Sequence, residues 1–499
     1  MTKRSSRSHG DAATFCSPCC ATAPFTNPSQ PLTLDETHRG TPLDAACYFM
    51  FTSGSTGEPK ATPSRHRDVV NFLTSDSCVK VGQDDRVLMF APLAFDASTF
   101  EIWGALLNGA QLIVQPGTHA SLEDLAETLV SGKASVAWLT SALFQEMVAQ
   151  HPEALRHARQ VLTGGDVVST DAMHGFFAAG GQSLTVCYGP TEGTVFTTAY
   201  TLERPEDIDT RALIGRPISH RDLYVIDVFG NLGTEGVPGE LYVGGGVTDG
   251  YLQRPDLTAQ RFVSLPWVSG RTLFRSGDIG RWSADGRVEF LGRRDNQIKI
   301  RGFRIEPGEI EQAIRGLDGV AQCAVVVVGQ GPDKRLEAFV TAARDAAPSA
   351  PALRDALVRI LPDYMVPARV QVLERLPMTD SGKLDKRVLL GERAPTQREA
   401  GTQPDAPRAT PNGELEGAIA SVWADVLKLD AIEREQDFFA IGGHSLAGMR
   451  IVSRLGKTLG RRVSLDMLFR FPTVASLAGA LSASPAHAAL AAASADQAA

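Results

Sequence analysis

The chain has 499 residues, 43% of them hydrophobic and 21% charged, with a net charge of −8. This is the balance of a globular protein of roughly three domains. The acidity argues against a nucleic-acid surface, which needs a basic stripe, and no apolar run reaches the ~20 residues of a membrane helix. Seven cysteines at irregular spacing make no disulfide framework. Cys16, Cys19 and Cys20 are followed by no cluster at zinc-finger spacing. MTKRSSRSH is basic but lacks a following apolar stretch, so no secretory signal is expected and the cytoplasm is the default compartment.

In chain order, residues 1–31 are rich in Ser, Thr, Ala and Pro without periodicity and read as disordered. From Tyr48 the runs YFMF, RVLMFAPL, AQLIV, SVAWL, RQVLTGG and LTVCYG alternate with helical stretches at 122–130 and 142–150. That alternation predicts α/β layers with parallel strands. From about 211 the texture is strand-rich with Gly turns (DLYVIDVFG, GELYVGG, GRVEFLG). After a stretch dense in charge and Gly at 292–311 comes a smaller α+β unit. Its strands are AQCAVVVVG, LEAFVTA and RVQVLE, with a helix at 352–361 between the last two. A polar, Pro-bearing linker occupies 391–412. Leu415, Ile419, Val422, Trp423, Val426 and Leu427, then Leu446, Met449, Val452, Leu455 and Leu459, mark two amphipathic helices. They belong to a small bundle ending near 483, before an Ala-rich tail at 484–499.

TSGSTGEPK, Thr52 to Lys60, follows a short apolar strand. Gly54 and Gly57 let backbone amides turn toward an anion, and the hydroxyls of Thr52, Ser53, Ser55 and Thr56 add donors. Pro59 before Lys60 departs from the ordinary nucleotide P-loop, and alone the loop reads equally well as a turn. It does not stand alone. YFMFTSGSTGEPKA resembles the phosphate loop of adenylate-forming enzymes, specifically adenylation domains of nonribosomal peptide synthetases. The likeness runs on in order through LAFDAS, YGPTE, GELYVGGGVTDGYLQRPDLT, RSGD, GRRDNQIKIRGFRIEPGEIE, LPDYMVP and PMTDSGK. DFFAIGGHSL then resembles the attachment motif of a peptidyl carrier domain.

The resemblance implies a multidomain chain. An α/β adenylate-forming core at 32–294, incomplete at its N-terminus, precedes a mobile α+β subdomain at 295–391, a linker at 392–411 and an all-α carrier bundle at 412–483. Complete relatives carry a long stretch ahead of the phosphate loop, and residues 1–44 are too short and polar to resemble it. The resemblance also implies ATP, Mg²⁺ and 4′-phosphopantetheine as cofactors. Thr52 to Gly57, Lys60 and Gly189 would bind nucleotide; Tyr188 would stack near adenine; Thr191 would bond phosphate; and Glu192 would hold Mg²⁺. Asp278 would accept the ribose hydroxyls, Arg293 would touch ribose and Asp295 would be the hinge. Arg301 and Arg304 are expected to be surface charges. Lys383 would neutralise the converging carboxylate and α-phosphate, a catalytic role shared with Glu192 and Thr191. Asp96 would face an α-ammonium, and Ala97, Phe100, Trp138, Leu162, Gly164, Cys187, Val195 and Phe196 would line the side-chain pocket. With no charge among those eight, the pocket suits a branched aliphatic amino acid, valine first and isoleucine next. Ser445 would carry the pantetheine arm.

Two functions follow as expectations. One is an enzyme module that activates an amino acid and loads its own carrier. The other is a crippled adenylation fragment whose carrier is loaded in trans. Either way the expected partners are an amino acid, a phosphopantetheinyl transferase and condensation and thioesterase modules in trans, with no nucleic acid and no membrane.

Overall fold

The apolar runs between Arg86 and Leu202 pair side by side into one end of a twelve-stranded sheet. The protein is seen here as a computed structural model, which describes residues 42–54, 58–74, 79–117, 120–268, 270–295, 297–300, 302–329, 331–344, 346–379, 384–390, 410–439 and 441–483. Several expectations fall outside the described residues: the disordered ends at 1–31 and 484–499, the cysteine trio, most of the linker, Ser55, Thr56, Gly57, Arg301 and Lys383.

Strands Gln111–Val114, Arg86–Met89, Val136–Thr140, Gln160–Gly164 and Leu184–Tyr188 are parallel, as their near-continuous apolar character predicts. From Thr198–Leu202 onward the sheet is antiparallel, through Leu213–Pro217, Val288–Arg293, Leu273–Trp282, Gly239–Gly244 and Asp222–Ile226. Helices Leu122–Ser131, Ser141–Gln150 and Thr170–Ala178 cover one face, burying Leu125, Leu129, Phe144, Met147 and Phe176 against the parallel strands. Ser121 opens the first of them with a reciprocal capping box to Asp124. On the other face Phe72, Phe100, Val136, Leu162 and Phe196 form a second core.

The first strand corrects the sequence reading. Ala46–Thr52 is not part of the parallel layer; it pairs antiparallel with Lys60–Arg65 in a separate two-stranded hairpin. Only residues 53–59 separate it from Lys60–Arg65, too few for the dozen or more of a parallel crossover, so those two strands pair as a hairpin.

The smaller unit begins with a hairpin, Ile298–Ile300 and Phe303–Ile305, and a three-stranded sheet follows. Val320–Val328 runs antiparallel to Arg335–Ala342, which is parallel to Arg369–Leu373; helix Ala350–Ile360 makes that crossover. Four helices form the carrier bundle: Gly413–Leu427, Ser445–Leu459, Leu465–Arg470 and Val474–Ala483. Trp423 and Phe438, both fully buried, meet edge to face at 5.3 Å in its centre. Among the described residues no helix is long and apolar enough to cross a membrane.

One buried acid ties helix Ala97–Leu107 to the end of strand Arg86–Met89. The carboxylate of Glu101 accepts from the amides of Phe90 (3.1 Å) and Ala91 (3.0 Å) and is fully buried. Burial pushes its pKa up from 4.5 to about 8, against the two amide bonds. Between those values the unfolded chain has lost a proton that the folded chain keeps. Stability therefore falls as pH rises from 4.5 to about 8, by roughly 5 kcal/mol from this group. Glu101→Gln is expected to remove that slope, seen as a flatter denaturation midpoint over the same window. An unchanged slope would show that Glu101 is already ionised in the folded protein over that window.

A candidate active site shared by three domains

Chemistry-bearing residues from all three parts line one cavity of about 780 Å³. The core supplies Tyr48 to Ser53, Ala91 to Ala97, Trp138, Cys187, Gly189 to Thr191, Val195, Phe196, Ser276, Asp278 and Arg293. The small domain supplies Gln297, Lys299, Gly302 to Arg304 and Tyr364, and the carrier Ser445, Leu446, Met449 and Leu465.

At one end lie Asp96, Ala97, Trp138, Cys187, Val195 and Phe196, six of the nine residues expected to meet the amino acid. The other three are not on the wall. Phe100 turns toward Phe72 and Phe196 at ring distances of 6.4 and 5.8 Å. Leu162 is sealed in the core behind, and Gly164 lies in strand pairing with Cys187. Val195 sits at φ +70°, an outlier for a β-branched side chain, just after the short helical turn Thr191–Gly193. Such strain costs about 1–3 kcal/mol and clusters at functional sites. Burial pushes the Asp96 carboxyl up, opposed by a hydrogen bond from the Thr191 side chain. A cationic group entering beside it would relieve that burial.

Behind the cavity wall a chain of hydrogen bonds runs outward from Asp278 and Arg293, both of which line the cavity. The Tyr188 hydroxyl donates to Asp278 Oδ2 at 2.6 Å, and Arg293 pairs with the other oxygen of Asp278. Arg293 also grips Asp295 with two nitrogens, at 2.8 and 3.0 Å, while Arg261 reaches Asp295 from the core at 3.2 Å. Burial raises the Asp295 carboxyl, but the hydrogen bonds and charges of Arg293 and Arg261 together outweigh it and leave it lowered. The expected hinge is thus pinned on both sides by guanidinium groups of the core.

At the phosphate-loop end the structure corrects one expectation outright. Arg304 is no surface charge: its guanidinium donates to Glu192 Oε2 at 2.7 Å, with side-chain exposures of 14% and 0%. Gly302, at φ +86° and with an added Cβ only 2.8 Å from Thr140, lets the hairpin turn tightly against the core. Phe303 follows it in, edge-on to Phe95 at 4.6 Å and stacked on Tyr364 at 4.3 Å. Tyr251 donates to the other Glu192 oxygen at 2.7 Å, and the Lys60 ammonium lies 4.8 Å over the Tyr251 ring. Burial opposes ionisation of Glu192, yet Arg304 and Lys60 hold its carboxyl down at about 2. The same burial, with Arg304 nearby, lowers Lys60 to about 8. Ser53 Oγ donates to the Arg304 carbonyl at 2.9 Å, and the Gly54 amide donates to Glu309 Oε2 at 3.0 Å. A carboxylate therefore sits where the loop was expected to hold a phosphate.

Ser445, which lines the cavity, is the first helical residue after Gly442, Gly443 and His444. His444 does the capping: its Nδ1 accepts from the Ala447 amide at 3.0 Å. The Ser445 hydroxyl is thereby exposed and spared from the helix end.

Sequence reasoning missed Tyr251, Lys299, Glu309 and the role of Arg304. All four lie inside motifs already singled out, GYLQRP and KIRGFRIEPGE, so a signal was there. What was lacking was the fold that turns the hairpin inward.

This arrangement defines an adenylate-forming enzyme joined to a carrier domain. The AMP-binding enzyme family matches residues 9–252, its C-terminal domain 309–383, and the phosphopantetheine attachment site 417–481. The first match begins within the segment that composition alone assigned to disorder.

The chain belongs to the adenylation–carrier proteins of nonribosomal peptide synthesis, the class that activates amino acids by adenylation and carries them on phosphopantetheine. It is 42% identical over 87% of its length to a linear gramicidin synthase component of Brevibacillus parabrevis, and 37% identical over 86% to tyrocidine synthase 3 of the same organism. It spans only 6% and 7% of those relatives. Among solved structures it is similar to PA1221, an NRPS protein containing adenylation and PCP domains, with 30% identity, a TM-score of 0.64 and 77% of each chain covered. The holo form of PA1221, bound to a vinylsulfonamide inhibitor, gives a TM-score of 0.77 at 29% identity, covering 93% of this chain and 78% of that one.

Proposed function

We propose that the cavity activates a branched aliphatic amino acid, valine before isoleucine, and hands it to an arm on Ser445. The observation that carries this is the single cavity joining Ser445 to Asp278 and to the Asp96–Trp138–Phe196 pocket. In the first step the amino-acid carboxylate attacks the α-phosphorus of ATP and pyrophosphate leaves. Asp96 holds the ammonium, Thr191 and the loop amides orient phosphate, Asp278 and Arg293 orient ribose, and Lys383 offsets the charge of the approaching oxygens.

Glu192 is the Mg²⁺ ligand in this reading. The donor fits, since a hard carboxylate already has a cation against it in Arg304. Bound there, Mg²⁺ would offset phosphate charge. The arm likewise fits: Ser445 lines the cavity together with Leu446, Met449 and Leu465. A phosphopantetheine on Ser445 would supply the thiol that accepts the aminoacyl group, with AMP as the leaving group.

The present arrangement suits the second step. Arg304 and Glu309 of the small domain fill the Glu192 and Gly54 positions that MgATP would need, while the carrier serine faces the pocket. The partners this reading implies are modules for bond formation and release and the transferase that installs the arm.

Pyrophosphate exchange with a panel of amino acids tests the reading. Valine is expected to give the highest kcat/KM, isoleucine next; no exchange with any amino acid, or a charged substrate preferred, would overturn it. Trp138→Ala is expected to shift preference toward larger side chains, each methylene being worth about 1–3 kcal/mol.

A further inference from the structure

We propose that Arg450 is a coincidence latch: one guanidinium binds core and small domain together, so the carrier docks on the cavity only when the small domain is already there. This rests on the two-step reading above and adds the residue that couples its parts.

Arg450 lies on helix Ser445–Leu459, a turn beyond the carrier serine. One of its terminal nitrogens pairs with Glu146, on helix Ser141–Gln150 of the core. The other donates to Asp333 Oδ1 at 2.9 Å, in the short turn Gly331–Asp333 of the small domain. Asp333 Oδ2 also takes the ammonium of Lys428 at 2.5 Å, from the end of the first carrier helix. A planar fork of donors can address two carboxylates at once, which a single ammonium does less well.

Burial decides which contact matters. The side chains of Arg450 and Glu146 are 17% and 8% exposed, and Asp333 is 35% exposed, so the core arm is the better buried of the two. Further carrier-to-core ion pairs, from Arg462 to Asp124 and Glu127, involve a side chain 61% exposed, and pairs that open to water contribute little. Met449, next to Arg450, packs on the main core cluster and excludes water from the same seam. Arg450 thus has the features of an interface anchor. If the small domain swings away, Asp333 goes with it, and both Arg450 and Lys428 lose a partner. If the carrier leaves, Glu146 loses its cation and keeps the neutral Gln150 amide, at 3.1 Å. Each event weakens the other's product, which is what reciprocal coupling requires.

The test uses the full-length chain with the arm installed and measures single-turnover aminoacyl loading beside pyrophosphate exchange. Arg450→Glu is expected to slow loading roughly 30-fold or more, the usual loss when one member of a buried charge pair is removed, while exchange persists. Glu146→Ala and Asp333→Ala should each slow loading in the native background. In an Arg450→Ala background neither should add more than about twofold, because their effects run through the same group.

Hydrogen exchange on the same full-length proteins gives a readout that needs no turnover. Arg450→Glu should raise exchange at 141–150 and at the amides of Gly331, Asp333 and Lys334 together. Loading unchanged in Arg450→Glu, additive losses in the Arg450→Ala background, or exchange raised at one contact alone would each overturn the latch. Absence of pyrophosphate exchange in the native chain would instead count against the functional reading, and hydrogen exchange would still judge Arg450.

Discussion

Ser445→Ala abolishes covalent attachment of a phosphopantetheine arm, and with it all aminoacyl loading, while pyrophosphate exchange continues: that is the expected result. Ser445 lines the cavity, and the helix end does not depend on its hydroxyl, because His444 Nδ1 already accepts from Ala447. A serine that served as the cap would behave differently, its loss costing the bundle about 0.5–2 kcal/mol. The companion variant is therefore His444→Ala. It should lower the melting temperature of the carrier yet leave the hydroxyl open to modification. Intact-mass measurement after incubation with a phosphopantetheinyl transferase and coenzyme A separates the two. An added mass on the Ser445→Ala protein would refute the assignment, and so would a stability loss in Ser445→Ala matching that of His444→Ala.

Why was the carrier serine legible from the sequence while Arg304 was not? DFFAIGGHSL combines a local turn, a helix start and an amphipathic helix within ten residues, so its structure follows from neighbours along the chain. The same holds for the parallel strands, whose apolar runs announce burial on both faces. The pocket wall was read from motifs, and Asp96, Ala97, Trp138, Cys187, Val195 and Phe196 do meet on one surface. Phe100 and Leu162 fell a layer behind because apolar character alone does not say which of two packed residues faces the void.

Arg304 is a different case. A Gly-punctuated run of charges usually marks a solvated face. Here the decisive contact is Gly302 against Thr140, 162 positions earlier in the chain, and nothing local encodes it. Glu309 on the Gly54 amide spans 255 positions and was equally invisible. The first strand was misplaced because its partner, KATPSR, does not read as a strand, while the stretch from Thr52 to Arg86 is long enough for a crossover.

Glu192→Ala is expected to cost both stability and adenylation, and a double variant should pull those losses apart. Glu192 is wholly buried with Arg304, itself 14% exposed, and with the Tyr251 hydroxyl. Its pKa near 2 against an ordinary 4.5 corresponds to roughly 3 kcal/mol. Because the folded value is the lower one, that contribution is fully present above pH 4.5 and is lost as pH falls through about 2. Removing the carboxylate strands the Arg304 guanidinium, and breaking a buried pair on one side costs about 3–5 kcal/mol. Arg304→Ala on top of Glu192→Ala should return most of the lost stability, since no charge then lacks a partner. Adenylation obeys a different account. If Glu192 is the group that offsets phosphate charge through Mg²⁺, pyrophosphate exchange should fall by about 10²–10³-fold in Glu192→Ala and stay there in the double variant. On the two-step reading proposed above, in which the Arg304–Glu192 pair belongs to the transfer step, Arg304→Ala alone should keep exchange but slow loading. Recovery of exchange together with stability in the double variant would make Glu192 a structural ion-pair partner and nothing more.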